Sequence, residues 1–218
     1  MTELHAFPSY SVAERAADAA IHAVGVPLGL IAAIALIERA TAFGALTTAA
    51  ITLYAAGIVG MLGASAAYQL CPGGGRLKEH LRRLDRSMIF VMIAGTYTPI
   101  SLVALYGRHG LALCLLVWSL AALGIVVTVR YPWRFERALL GLYLAMGWML
   151  LAVLQDCVAR LHGGVLALIV GGGVVYTAGV MLQLFPVKFQ NPVWHLLVLV
   201  AGTMHYVGIS LQLTGGVF

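Results

Sequence analysis

Glu14, Asp18 and His22 follow one another at intervals of four residues, which stacks their side chains along one face of a helix. Ser65 and Gln69 share a face by the same interval, as do Asn191 and His195, and His205 lies further along the latter segment. Asp85 sits in the run Leu84-Asp85-Arg86-Ser87. The surroundings of these groups are apolar, where an ionisable side chain costs about 2.5 to 3.5 kcal/mol and tends to be retained for function. The chemistry that such a set suggests is metal-assisted hydrolysis. An open tetrahedral zinc site would draw on His195, a carboxylate such as Asp85 would take the proton of the bound water, and Ser65 would add a hydroxyl beside it. Two of the neighbouring candidates, Gln69 and Asn191, are amides and far poorer zinc donors than imidazole. Taken one at a time the groups also have structural readings. Glu14 and Asp18 would sit in interfacial water, Asp85 would pair with Arg83 or Arg86, and His195 and His205 would be satisfied buried histidines.

The elements that must position them are membrane spans. Hydrophobic residues make up 61% of the 218 positions and charged residues 10%, with a mean hydropathy of +0.96, far more apolar than a soluble domain. A span takes roughly 20 apolar residues, and the apolar runs predict seven, near 17–37, 44–70, 87–106, 110–130, 137–155, 163–185 and 192–213. The short breaks between them, among them Pro72-Gly73-Gly74-Gly75, Gly107-Arg108-His109, Asp156 to Arg160 and Pro186-Val187-Lys188, make consecutive helices antiparallel neighbours. The fold class is therefore all-α, a single domain built as a seven-helix transmembrane bundle. The opening stretch from Met1 to Tyr10 is polar and lacks the pattern of a cleaved leader.

Of the 13 Lys and Arg residues, one side of this topology collects ten, from Arg15 through Arg76 and Arg137 to Lys188. The other side holds only Arg39, Arg108 and Arg160. Basic residues are retained in the cytoplasm, so the N-terminus is predicted cytoplasmic and Phe218 outside. The polar groups of all the contributing spans then fall at the cytoplasmic leaflet. The basic residues are dispersed over loops rather than gathered on a recognition element, which argues against a nucleic-acid partner. Gly73-Gly74-Gly75-Arg76 lacks phosphate-loop spacing. Cys71, Cys114 and Cys157 are odd in number and form no CxxC pair, so neither a disulfide framework nor a structural zinc motif is suggested and they read as small apolar packers. Small residues at helical spacing, Gly57, Gly60, Gly63 and Ala67 in the second span and Gly172 and Gly179 in the sixth, predict close helix packing.

Several of these runs resemble one family. Tyr10-Ser11 with Glu14 and His22, Ser65-Ala66-Ala67-Tyr68, Arg83-Leu84-Asp85, the run Ile93-Ala94-Gly95-Thr96-Tyr97-Thr98-Pro99, and Trp194-His195-Leu196 through His205 are similar to the bacterial hemolysin III family. That family is related to the adiponectin and progestin receptors and, more distantly, to alkaline ceramidases. The similarity runs over nearly the whole chain, and the stretch from Ala94 to Pro99 is its most specific part. The resemblance implies seven helices in a bacterial inner membrane with a cytoplasmic N-terminus. It also implies a zinc site made of one histidine ending the second span and an HxxxH pair opening the seventh, with an aspartate on the third. Those positions here are Gln69, Asn191, His195 and Asp85, so two of three expected imidazoles are amides. Ser65, Glu14 and His22 match the family, whereas Asp18 stands where the family often has asparagine.

The chain is accordingly expected to hold zinc weakly or not at all. The activity implied is hydrolysis of a lipid amide or ester, with a membrane lipid, ceramide-like or fatty-acid ligand as the partner. The alternatives are a lipid-binding sensor or a conduit, and a polar core that only stabilises the bundle.

Overall fold

The computed structural model describes residues 10–215 with the exception of Pro186. The polar opening stretch, Pro186 and Phe218, on which parts of the topology prediction rest, lie outside the described residues. The helices are α1 (Val12–Ala40), α2 (Ala45–Leu70), α3 (Arg76–Pro99), α4 (Gly107–Arg130), α5 (Glu136–Gly147), α6 (Leu154–Arg160), α7 (Gly163–Leu182) and α8 (Gln190–Thr214). Among the described residues seven stretches are long and apolar enough to cross a membrane, α5 and α6 together forming the fifth. Among the described residues there is no strand. Leu28, Ile31 and Ile34 of α1 and Leu115, Leu116 and Leu123 of α4 are exposed on the outside of the bundle, as a lipid-facing surface requires.

Sequential helices pack as neighbours, and α1 also packs on α8, closing the bundle. The start of α1 is fixed by Ser11, whose hydroxyl accepts from the Glu14 amide while the Glu14 carboxylate accepts from the Ser11 amide. Close approach of α2 and α3 depends on two glycines. A Cβ at Gly57 would stand 3.1 Å from Met92 Cα, and one at Gly95 would stand 3.0 Å from the Leu53 carbonyl oxygen. The predicted small-residue faces are thus used at Gly57, at Gly60 against Met88, and at Gly172 and Gly179 against His205 and Trp194. Gly63 faces open space.

Two boundaries differ from the predicted spans for physical reasons. Helix α3 begins at Arg76 rather than near 87, because the basic stretch 76–86 continues as helix with its charges paired, Arg83 to Glu79 at 3.0 Å and Arg86 to Glu136 at 2.9 Å. The fifth span is not one helix over 137–155. It breaks into a 3-10 turn, Met149–Val153, and the predicted loop at 156–160 is helix α6. Tyr97 explains the break: its hydroxyl donates to the Gly147 carbonyl at 2.8 Å and accepts from the Leu150 amide at 3.0 Å. A side chain inserted into the helical ladder satisfies the groups that the break exposes. Beyond Tyr97, Thr98 accepts from the Trp118 indole at 3.1 Å, and after Pro99 the chain relaxes into a π-turn, Ile100–Ala104.

Candidate functional site

Alternating helix direction brings the starts of α1, α3, α5 and α8 and the ends of α2, α4 and α7 to one end of the bundle. Asp18 and His22 lie in the second and third turns of α1, Ser65 in the last turns of α2, Asp85 in the third turn of α3, and His195 in the second turn of α8. Helical rise puts all of them within about 15 Å of that end. The residues that the sequence singled out at this end, from four different helices, therefore share one depth.

Four side chains form a connected, buried centre. His195 Nδ1 stands 2.5 Å from Asp18 Oδ1, His195 Nε2 stands 3.2 Å from Ser65 Oγ, and Ser65 Oγ stands 3.1 Å from His22 Nε2. His22 Nδ1 is 2.8 Å from the Asp18 carbonyl oxygen. The two imidazoles meet edge to face with ring centroids 4.6 Å apart. Asp85, half-buried on α3, lines one cavity together with His22, Ser65 and His195. Neither Arg83 nor Arg86 is ion-paired with it among the described residues, since both are engaged by glutamates. Asp18, His22 and His195 are a group whose ligand atoms lie within 4.8 Å of one another, close enough to hold a metal ion.

The centre opens in two directions. Inward lies a cavity of about 110 Å³ walled by apolar groups such as Met61, Leu62, Met92, Val198 and Leu199, with Tyr97, Trp148, Thr177 and His205 deeper in. Outward lies a wider vestibule of about 360 Å³ walled by polar side chains, among them Gln69, Gln183, Gln190 and Asn191. Asp85, His195, Ile89, Tyr143 and Trp194 line both compartments. On the vestibule wall the buried Arg82 guanidinium stacks 3.2 Å from the Trp133 ring and binds Glu136, which also accepts from Arg86. Burial there pushes the Tyr10 phenol up to about 12, so it remains a hydrogen-bond donor.

The remaining candidates are placed differently. Glu14 is at the exposed start of α1, where Oε1 accepts from the Phe189 amide at 2.9 Å, so it holds the start of α8 against α1. His205 is ten residues beyond His195 on α8, and its Nε2 donates to the Ile169 carbonyl at 3.0 Å. Gln69 and Asn191 share the vestibule with Asp85 and His195. The direct contact of Asp18 with His195, and the link through Ser65 that joins His22 to His195, were missed by sequence reasoning. Asp18 in place of the usual asparagine was their one visible trace. Tyr143, Trp194 and the buried Arg82 were missed as well, since aromatic and basic residues near helix ends are too common to stand out. Cys114 and Cys157 are buried and Cys71 is half-buried, all three as free thiols.

A seven-span helical bundle with a polar centre near one end of its helices defines an integral membrane protein of the class suggested by the sequence runs. The profile of the Haemolysin-III related family matches residues 11–206, and the chain belongs to that family. It is 32% identical over 192 residues to Hemolysin-3 homolog of Bacillus subtilis (strain 168), covering 87% of this chain and 90% of that protein. It is 31% identical over 208 residues to Hemolysin-3 of Bacillus cereus, covering 94% of each. A more remote similarity, 28% over 141 residues, covers 61% of this chain and 58% of the human monocyte to macrophage differentiation factor. The zinc site that the resemblance implies does not fit the donors present: Gln69 and Asn191 offer neutral amides where two imidazoles are needed. No chemical step is derived through a metal at those positions.

Proposed function

We propose that this protein hydrolyses an acyl bond, ester or amide, in a membrane lipid, with the reacting carbonyl held between Asp85 and His195. One observation carries the reading. Asp85 and His195 stand on the wall shared by an apolar cavity and a polar vestibule. A lipid is an apolar chain joined to a polar head through an acyl group, so its tail in the cavity and its head in the vestibule put the carbonyl at that shared wall. Water adds to the carbonyl carbon and gives its proton to the Asp85 carboxylate. The acyl–oxygen or acyl–nitrogen bond then breaks, and Asp85 returns the proton to the departing alcohol or amine, leaving a fatty acid. Ser65 orients the attacking water by hydrogen bonding. On this reading the vestibule opens to the cytoplasm from a bacterial inner membrane, which the ten basic residues predicted on that side support.

The test is release of fatty acid from ceramide, lysophospholipid and monoacylglycerol by the full chain in lipid nanodiscs, followed by mass spectrometry. Turnover of at least one substrate, lowered about 100-fold or more by Asp85→Asn, is the expected result. No release from any of the three, with the protein folded, overturns the proposal.

A further inference from the structure

The hydrogen bonds around Ser65 do not balance. His22 Nδ1 faces a carbonyl oxygen, which only accepts, so Nδ1 carries the hydrogen and Nε2 of the neutral ring is a bare lone pair. His195 Nδ1 faces the Asp18 carboxylate, so in the neutral ring its Nε2 is bare as well. Both Nε2 atoms are directed at Ser65 Oγ, at 3.1 and 3.2 Å. A hydroxyl has one hydrogen to give. Two acceptors therefore converge on a single donor, in a buried place that also holds the Asp18 carboxylate.

Convergent acceptors short of positive charge are what a cation needs. The outer partners match as well, because a metal-ligating histidine generally donates its other ring N–H to a backbone carbonyl or a carboxylate. His22 has the first and His195 the second. We propose that this chain holds one divalent transition metal ion of the zinc type between His22 Nε2 and His195 Nε2. Its seat is displaced from the positions of Gln69 and Asn191, and Asp18 serves as the carboxylate that orients His195. Imidazole donors select zinc-like ions over magnesium or calcium. Asp18 and Asp85 together supply the two negative charges that such an ion neutralises. The seat would serve the hydrolysis proposed above, but it is tested without it.

The experiment uses the full chain in detergent, stripped with chelator, dialysed against zinc and measured by elemental analysis and by zinc-edge X-ray absorption. One zinc per chain with scattering from two imidazoles is expected, since a seat at the amide positions would show only the imidazole of His195. Asp18→Asn should weaken zinc roughly 10- to 100-fold, and His22→Gln by more than that, whereas Gln69→Ala and Asn191→Ala leave affinity within a few fold. No retained zinc, a single imidazole in the absorption spectrum, or loss of zinc on removing either amide overturns the proposal. The wild-type spectrum needs no variant to fold. Zinc bound without any lipid turnover would overturn the hydrolase reading alone. Turnover by metal-free protein would overturn only the seat's part in the hydrolysis.

Discussion

Asp18 and His195 are separated by 177 residues in the chain and by 2.5 Å in the fold. The contact ties the first helix to the last at the depth of the polar centre, and it fixes which nitrogen of His195 faces Ser65. A carboxylate hydrogen-bonded to an imidazole in a buried place is stronger than a neutral pair. Its loss therefore affects both the closure of the bundle and the orientation of the ring.

Asp18→Asn keeps the shape but removes the charge. We expect a loss of about 1.5 to 3 kcal/mol, the range for hydrogen bonds to charged groups, read as a lower melting temperature in detergent. Asp18→Leu, which leaves His195 Nδ1 with no acceptor, should melt lower still. Equal stability of these two variants would show that the contact does not orient the ring.

At the exposed start of α1, Glu14 accepts from Ser11 and from the Phe189 amide. Glu14→Ala should therefore loosen two helix starts at once. Hydrogen exchange is the measurement: the amide of Phe189 should exchange faster, with little change in the middle of α4.

Close approach of α2 and α3 makes a steric prediction. Gly95→Ala sets a Cβ against the Leu53 carbonyl and Tyr54 Cα, backbone atoms that cannot swing away. A cost of about 1 to 3 kcal/mol is expected. Gly63→Ala meets open space and should be neutral, or stabilising by up to about 1 kcal/mol through helix propensity. Thermal melting of the two variants side by side tests the packing, and equal melting points would contradict it.

In the vestibule, Arg82 is buried between Trp133 and Glu136. Removing one partner of such a pair leaves a charge unmatched, whereas an apolar replacement of the charge itself is tolerated better. Glu136→Gln should therefore lower the melting temperature more than Arg82→Met, and the reverse order would show that the stacking on Trp133 dominates.

Much of this architecture was legible in the sequence because lipid enforces it. Apolar length sets the spans, and i to i+4 spacing put Asp18 with His22 and Asn191 with His195 on shared faces. The antiparallel order then brought Ser65, Asp85 and His195 to one end. What pattern cannot supply is azimuth, the rotation of each helix about its axis. Asp85 and Asp18 both face inward, but only the packing of α1 on α8 decides that His195 takes Asp18 as its partner. The interrupted fifth span was hidden for a similar reason, since its cause, Tyr97, lies on another helix.

Tyr97 also lines the deep part of the apolar cavity, beside Gly147 and Trp148. The phenol that seals the interrupted helix is thus part of the floor against which an acyl tail would come to rest. Deepening that floor to admit a longer chain would require releasing the phenol from both backbone groups, which unfastens the fifth span. Under the proposed function, the ruler for tail length and the rivet of the scaffold would be one side chain.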